Sequence, residues 1–471
     1  MTPVLTSMVD VSSAVSFDKM AIARLQESMR GSVLLPGDEQ FDASWQTWIV
    51  GFVHAPAVIV LPETADDVVA TVSFANEHDL NVSIQGSAHG PTVPNIGGML
   101  INTKRMQGVT VDPVARTARV EAGVKWLPVV KEAHKYGLAT LNGSSSDVGV
   151  VGYSLGGGTG WLARKYGFAA DAIRSADVVT AEGYLIRVSP ESHAELFWAL
   201  RGGGGNFGVV VALEFDLFPV PSFFGGAIFY PMAEAPEVFR TYARWTETAP
   251  DDITSSIALF RFPPAPFIPE PLRGKEVVSI RATAIGPEGE ELAAPLRMMG
   301  TPIVDTFEER PYDQIDVVSS DPVNPLPHIA TSAMLEELSP EAISALMRVA
   351  GPETQTPFLM IEIRHIAGAA TRAPIDSSVA NRHDVPFLMF ALGVPMGPES
   401  AQALFAACDA IDEAVKPFAS EKIFLNFQGD TSDEGARNAY RDEHYSRLQQ
   451  VKAKYDPQNR FRFNINIPPA E

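Results

Sequence analysis

Cysteine is nearly absent: Cys408 is the only one in 471 residues. A lone thiol excludes an intrachain disulfide and any metal cluster that needs several cysteines. It shares a helical stripe with Leu404, Ile411 and Val415, the pattern of a buried structural thiol rather than a nucleophile. Long apolar runs are missing too. No uninterrupted stretch approaches the roughly 18 residues that mark a membrane span, and the most hydrophobic early stretch, over 53–61, is broken by His54 and Pro56. Positive charge is scarce, since 36 Lys and Arg face 57 Asp and Glu for a formal net charge of -21. That balance disfavours nonspecific nucleic-acid binding and docking to an anionic membrane. The opening Met1-Thr2-Pro3-Val4-Leu5 lacks the basic region and apolar stretch of a secretory signal, so a cytoplasmic protein is expected. The nine histidines form no zinc-binding spacing, and no metal is expected.

The length exceeds that of a usual single core and predicts two or three domains with room for a buried cofactor. A helix is expected over 17–29, followed by a short strand and turn over 31–37. The chain then alternates: a buried strand over 57–61, a helix from Thr64 to His78, and a strand over 82–84. Short strands over 100–103, 108–112 and 117–121 and a helix over 126–135 predict an α+β domain. A hairpin of 175–179 and 185–188 turns at Glu182-Gly183. Pro219-Val220-Pro221 ends this first region. Beyond it, strands are expected over 277–284, 358–364 and 387–390. Ser339 caps a helix over 340–349, and another over 399–415 stops at Pro417.

Three segments carry the signals for a site. Ile84-Gln85-Gly86-Ser87-Ala88-His89-Gly90 ends a strand among small residues, where a flat ring can approach the histidine closely. The alternative is a polar turn histidine that touches nothing. Val148-Gly149-Val150-Val151-Gly152-Tyr153-Ser154-Leu155-Gly156-Gly157-Gly158-Thr159-Gly160 joins a strand-like run to a helical one, so successive backbone N–H groups can face a phosphate. Gly158-Thr159-Gly160-Trp161-Leu162-Ala163 also fits the glycine spacing of a dinucleotide fingerprint, with Glu182 near the ribose-ligand position. The helical run from Trp161 is short, however, ending at Tyr166 before Gly167. Four adjacent glycines in Arg201-Gly202-Gly203-Gly204-Gly205-Asn206-Phe207-Gly208 cost conformational entropy, which points to a cofactor approach or a tight backbone crossing. The carboxyl-terminal stretch adds Tyr440-Arg441-Asp442-Glu443-His444-Tyr445, Lys452-Ala453-Lys454-Tyr455-Asp456-Pro457 and Phe461-Arg462-Phe463-Asn464.

Together these residues resemble flavoproteins of the vanillyl-alcohol oxidase type, and within them the berberine-bridge-enzyme-like branch, over nearly the whole chain. Gln85 to His89 is similar to the family's Arg-x-Gly-Gly-His attachment segment, with Gln85 for the arginine and Ser87 and Ala88 for the glycines. His444 stands where an asparagine is common. The resemblance implies an α+β fold in which a two-part FAD-binding domain, 1–219 and 416–471, brackets a substrate-binding α+β domain at 220–415. It implies FAD joined covalently through His89, with Gln85, Gly86, Ser87, Ala88 and Gly90 around the link. Val148, Gly149, Gly152, Gly156, Gly157, Gly158, Gly160, Trp161, Gly205, Asn206, Gly208, Val210 and Asn464 are the further cofactor-binding candidates. Ser145 occupies the place of a second, cysteine anchor found in many relatives, so a single link is expected.

The implied chemistry is hydride removal from an activated C–H bond of a small organic metabolite, with molecular oxygen as the acceptor that reoxidises the flavin. A dehydrogenase using another acceptor and a non-catalytic flavin-binding protein are the alternatives. Tyr440 is a candidate proton acceptor from its place in the terminal motif, or packs one end of a helix. Glu362 and Arg364 alternate with Ile361 and Ile363 and should share one side of a strand. There Glu362 accepts a proton and Arg364 orients an anionic or carbonyl group, or the two form a surface ion pair. Trp161 covers the flavin or plugs a core. Phe223, Phe224, Phe229, Tyr230, Phe387 and Phe390 line an apolar substrate site or build the second domain.

Overall fold

The computed structural model describes residues 18–90, 93–372 and 385–471. Residues 1–5, read above for a signal, and Phe17 lie outside them. The first helix is Lys19–Glu27, started by the Asp18 side chain. Four short strands follow: β1 (Ser32–Leu34), β2 (Val58–Leu61), β3 (Val82–Gln85) and β4 (Met99–Asn102). They form one sheet in the order β1-β2-β4-β3, with β4 parallel to both β2 and β3. The unbroken apolar run of β2 is buried at every residue, as a strand covered on both faces requires. Helix Ala65–Glu77 crosses between β2 and β3. Its start is fixed by a capping box, in which Thr64 Oγ1 accepts from Asp67 N and the Asp67 carboxylate accepts from Thr64 N, both at 3.2 Å.

A second sheet holds β5 (Val109–Asp112), β6 (Thr117–Glu121), β7 (Ile173–Val179), β8 (Leu185–Val188) and β9 (Val209–Asp216). The order is β5-β6-β9-β7-β8, antiparallel throughout. Gly183, at φ +86, turns the β7–β8 hairpin. Both sheets feed one core that joins Val60, Trp126, Leu155 and Phe207 to Tyr440, Leu448, Phe461 and Ile467. The carboxyl-terminal segment thus packs into the core laid down by the first 217 residues.

A buried clamp fastens it there. Helix Asp442–Tyr455 carries Lys452, whose Nζ donates to Asp456 Oδ2 at 2.6 Å and to Asn206 O at 2.7 Å. Asp456 in turn accepts from the amides of Arg460 and Phe461, at 2.8 and 3.0 Å. The side chain of Asn206 donates to Ile465 O and accepts from Ile467 N. A charge pair with no solvent contact is tolerable only when hydrogen bonds satisfy the remaining positions, as they do here.

Between these parts lies an eight-stranded sheet of β10 (Ser222–Pro231), β11 (Ile253–Arg261), β12 (Glu276–Ala284), β13 (Val304–Asp305), β14 (Glu308–Pro311), β15 (Ile329–Leu335), β16 (Met360–His365) and β17 (Phe387–Gly393). The order is β13-β10-β12-β11-β16-β17-β15, with β14 beside β10. Strand alternation gives it two unlike faces. Ile257, Leu259, Ile280, Ile361, Ile363 and Met389 point to a core covered by helices Ala235–Thr246, Pro340–Ala350 and Pro398–Val415. Ser339 caps the middle helix by accepting from Ala342 N at 3.2 Å. Phe224, Tyr230 and Phe387 belong to this core, as does Cys408, whose thiol burial pushes up to about 12. Phe229 and Phe390 lie opposite Ser279 and Glu362 and so share the other, polar face.

Arg164 ties this sheet to the first core. It is 3% exposed and donates to Ile253 O at 2.9 Å and Ala249 O at 2.7 Å, while Nη1 lies 2.8 Å from His365 Nε2. Burial, aided by the guanidinium, drives His365 down to about 3. Among the described residues no helix is long and apolar enough to cross a membrane, and no cluster of potential metal ligands occurs. Removing one partner of the clamp strands the other charge in the core, so Lys452→Ala is expected to lower stability by about 3–5 kcal/mol. A thermal midpoint equal to that of the wild type would show that the pair does not hold the terminal segment.

Candidate active site

β3 ends at Gln85, whose side chain donates to Gln46 O at 3.0 Å and whose carbonyl accepts from Thr103 N at 2.9 Å. The loop that follows is held in an uncommon shape: Ala88 has φ +57, and its carbonyl accepts from Trp48 N at 3.0 Å. Gly86 lies against Ala122, where a Cβ would meet the carbonyl oxygen at 3.4 Å. Among the described residues, the amides of Ser87, Ala88, His89 and Gly90 donate to no protein acceptor. A run of free N–H groups in such a turn receives an anion, which suits the diphosphate of FAD.

The Trp48 ring stacks on His89 with centroids 5.0 Å apart and planes 23° from parallel. His89 Nε2 lies 3.1 Å from Asp147 Oδ2, and Asp147 Oδ1 accepts from Lys125 Nζ at 2.6 Å. Burial lowers the basicity of His89 more than Asp147 restores it. The ring is therefore neutral at neutral pH. Facing a carboxylate, its proton belongs on Nε2, which leaves the lone pair on Nδ1.

The first glycine-rich segment begins against this loop. Gly149 N donates to Ser87 Oγ at 2.8 Å and Trp126 N donates to Val148 O at 3.0 Å, so this strand end is stitched to the histidine loop. The amides of Gly156, Gly157 and Gly158 are already taken, by Gly152 O, Ser154 O and Asn426 Oδ1. The expectation that they face a phosphate is corrected. Their value is close packing: a Cβ on Gly158 would come 2.4 Å from the Tyr153 ring, and one on Gly160 would come 1.8 Å from Asn142 O. Gly152 faces open space. In the second segment, Gly203 and Gly204 donate to Ala199 O and Leu155 O. At Gly208, φ is +150 and a Cβ would meet Val179 O at 2.8 Å. Gly205 sits beside Asn464, whose Nδ2 donates to Phe461 O and whose buried Oδ1 has no partner among the described residues. Val210 is buried within β9. Ser145 Oγ accepts from Asp147 N at 3.3 Å, so its hydroxyl shapes the turn that presents Asp147.

The polar face of the eight-stranded sheet supplies a second cluster. Glu362 and Arg364 do lie on one side of β16, and Arg281 shares that face two strands away, where it and Arg364 flank Ser256 of β11. Glu362 Oε1 accepts from Arg281 and Oε2 from Arg364 Nε, the latter at 2.8 Å. Arg364 Nη2 reaches Ser144 Oγ at 3.4 Å and its guanidinium lies over the Phe427 ring, 5.4 Å from the centroid. Burial alone would raise the Glu362 pKa; the two guanidiniums overcome this and hold the carboxyl down at about 2. Both oxygens are engaged and the group is a very weak base, so the expected role of Glu362 as proton acceptor is corrected: it is the counter-ion that sets the two arginines. Tyr440 is corrected likewise. It is buried in the first core beside Tyr445, and its hydroxyl donates to Gly202 O at 3.4 Å, away from the arginines. Trp161 plugs a small core with Phe223, Tyr312 and Ile315 and donates from Nε1 to Ser319 Oγ at 3.2 Å.

Sequence reasoning passed over Trp48, Asp147, Tyr153 and Arg281. Tyr153 left a signal, as the one aromatic residue within 148–160; Trp48 and Arg281 left none, because only tertiary packing brings them to the site.

A histidine cradle of this kind on this two-part fold defines a flavin-dependent oxidoreductase. The family described as FAD binding domain matches residues 56–189, and that described as berberine and berberine like matches 423–468. The (R)-6-hydroxynicotine oxidase of Paenarthrobacter nicotinovorans is 31% identical over 461 residues, covering 94% of this chain and 97% of its own. Among solved structures, 6-hydroxy-D-nicotine oxidase from Arthrobacter nicotinovorans superposes with a TM-score of 0.83 at 28% identity, covering 94% of this chain and 99% of its own. Glucooligosaccharide oxidase from Acremonium strictum, which carries a 6-S-cysteinyl, 8α-N1-histidyl FAD, shares the fold at a TM-score of 0.83 and 21% identity, over 96% and 99% of the two chains. The chain belongs to the berberine-bridge-enzyme-like FAD-linked oxidoreductases.

The low pKa of Glu362 fixes two expectations. Its contribution to stability is complete above the ordinary value of 4.5 and is lost as pH falls toward about 2. Across roughly pH 5–8 it stays ionised, so no limb of the kcat/KM profile belongs to it there. Glu362→Gln leaves two buried guanidiniums without their carboxylate and is expected to cost about 3–5 kcal/mol. Acid denaturation and a pH–rate profile of the wild type, with a melting curve of the variant, check all three.

Proposed function

We propose that this FAD-dependent oxidoreductase is an oxidase that removes hydride from an activated C–H bond of a small organic metabolite, with FAD joined to the protein through His89 alone and oxygen as acceptor. The observation that carries this reading is the junction of the two clusters: Arg364 reaches Ser144, and the same loop presents Asp147 to His89. When bound, FAD accepts the hydride and passes the electrons on. His89 offers the Nδ1 lone pair for attachment while Asp147 holds the proton on Nε2. The free amides of residues 87–90 bind the diphosphate. Arg364, set by Glu362, orients an anionic or carbonyl group of the substrate, and Phe390 and Phe427, 5.3 Å apart edge to face, supply apolar surface beside it. A second link through cysteine has no donor, since the sole thiol is buried under the far face of the sheet. The oxidase reading draws support from the 31% identical relative, itself named an oxidase.

Denaturing mass spectrometry of the purified protein should find one FAD adduct, lost in His89→Ala; a wild type that releases all its flavin would overturn covalent attachment. Anaerobically reduced enzyme mixed with oxygen should reoxidise rapidly. Slow return with oxygen but fast transfer to a quinone would make it a dehydrogenase.

A further inference from the structure

Tyr153 holds a buried hydroxyl that the site described so far does not use. Three neighbours hold its ring. It meets Trp126 edge to face, with centroids 5.7 Å apart and planes at 88°. Cβ atoms on Gly143 and Gly158 would come 3.0 and 2.4 Å from its ring carbons, so both glycines are cut to admit it. Asn426 locks the backbone on the same side, donating from Nδ2 to Tyr153 O at 3.2 Å and accepting from Gly158 N at 3.0 Å. The phenol is thus a rigid group on the helix Val150–Leu155, unable to turn away.

Its Oη is buried and has no hydrogen-bond partner among the described residues. That sets it apart from the other deeply buried tyrosines. Tyr312 donates to Thr140 O and lies 2.9 Å from Asn142 Oδ1, Tyr242 pairs with Ser255, Tyr230 with Leu296 O, and Tyr440 with Gly202 O. A buried hydroxyl left without a partner is costly, because its lost hydration is not replaced. The exception lies at the junction of the two clusters. A Cβ on Gly143 would stand 3.6 Å from Oη, which places the hydroxyl against the loop that carries Ser144 and Asp147. Burial raises the Tyr153 pKa, and the charge of Arg364 opposes this without reversing it, so the phenol keeps its proton and acts as a donor.

We propose that Tyr153 is a hydrogen-bond donor to the bound FAD, its Oη–H completed by an acceptor oxygen or nitrogen of the cofactor. This rests on FAD binding, not on covalent attachment or on oxygen as acceptor. Tyr153→Phe removes the hydroxyl and keeps the ring that the glycines and Trp126 enclose, so the holoenzyme can be compared directly with the wild type. The oxidised flavin absorption bands are expected to shift. The reduction equilibrium is expected to move about tenfold toward the oxidised form, a fall of about 30 mV for a two-electron couple. The thermal midpoint is expected to hold, because no protein hydrogen bond is lost. Wild-type bands and potential in the variant, with or without a lower thermal midpoint, would overturn the assignment.

Discussion

A charge pair without solvent, Lys452 with Asp456, is what makes the two-part architecture one body. Lys452 reaches back to the carbonyl of Asn206 inside the second glycine segment, and Asp456 gathers the amides of Arg460 and Phe461. The last residues therefore return to a core begun far upstream, and the intervening chain is free to form a separate sheet. Glycine makes the return feasible: at Gly203, a Cβ would come 2.3 Å from Ala199 O and 3.2 Å from Leu448 of the terminal helix. The entropy that glycine costs in the unfolded chain is offset by backbone contact that no larger residue permits.

With the sheet anchored between the two ends, its unlike faces determine the site. The apolar face is sealed by three helices, so the polar face has to meet the first core. Arg164 sets that meeting through the carbonyls of Ala249 and Ile253, and Ser146 adds a bond from its amide to Asp316 at 2.9 Å. Two arginines and one carboxylate then stand beside the loop that orders His89. Glu362 neutralises one guanidinium and leaves the other in excess, so this face carries positive charge beside that loop.

Much of this was legible from local pattern. The strand at 117–121, the capped helices after Thr64 and Ser339, and the hairpin at Gly183 follow from residue period and turn chemistry acting over a few neighbours. Glu362 and Arg364 share a side because alternation in a strand is rigid. Their roles were less legible: nothing near Glu362 in sequence announces Arg281, 81 positions earlier, and that second guanidinium turns a candidate base into a counter-ion. Gly156, Gly157 and Gly158 looked like phosphate donors because spacing reports where glycine stands, not which acceptor its amide finds.

The sequence by itself determined that the chain carries a small-residue histidine loop, two glycine segments and a terminal motif, and these suffice for the family and for FAD, since each depends on side-chain size and backbone freedom at fixed positions. Only the tertiary structure decided which ring nitrogen of His89 faces Asp147, which carboxylate is too tightly held to take a proton, and which tyrosine keeps a hydroxyl unpaired among the described residues. Those properties arise from groups far apart in the chain meeting out of water, where burial and a single opposite charge outweigh any local preference.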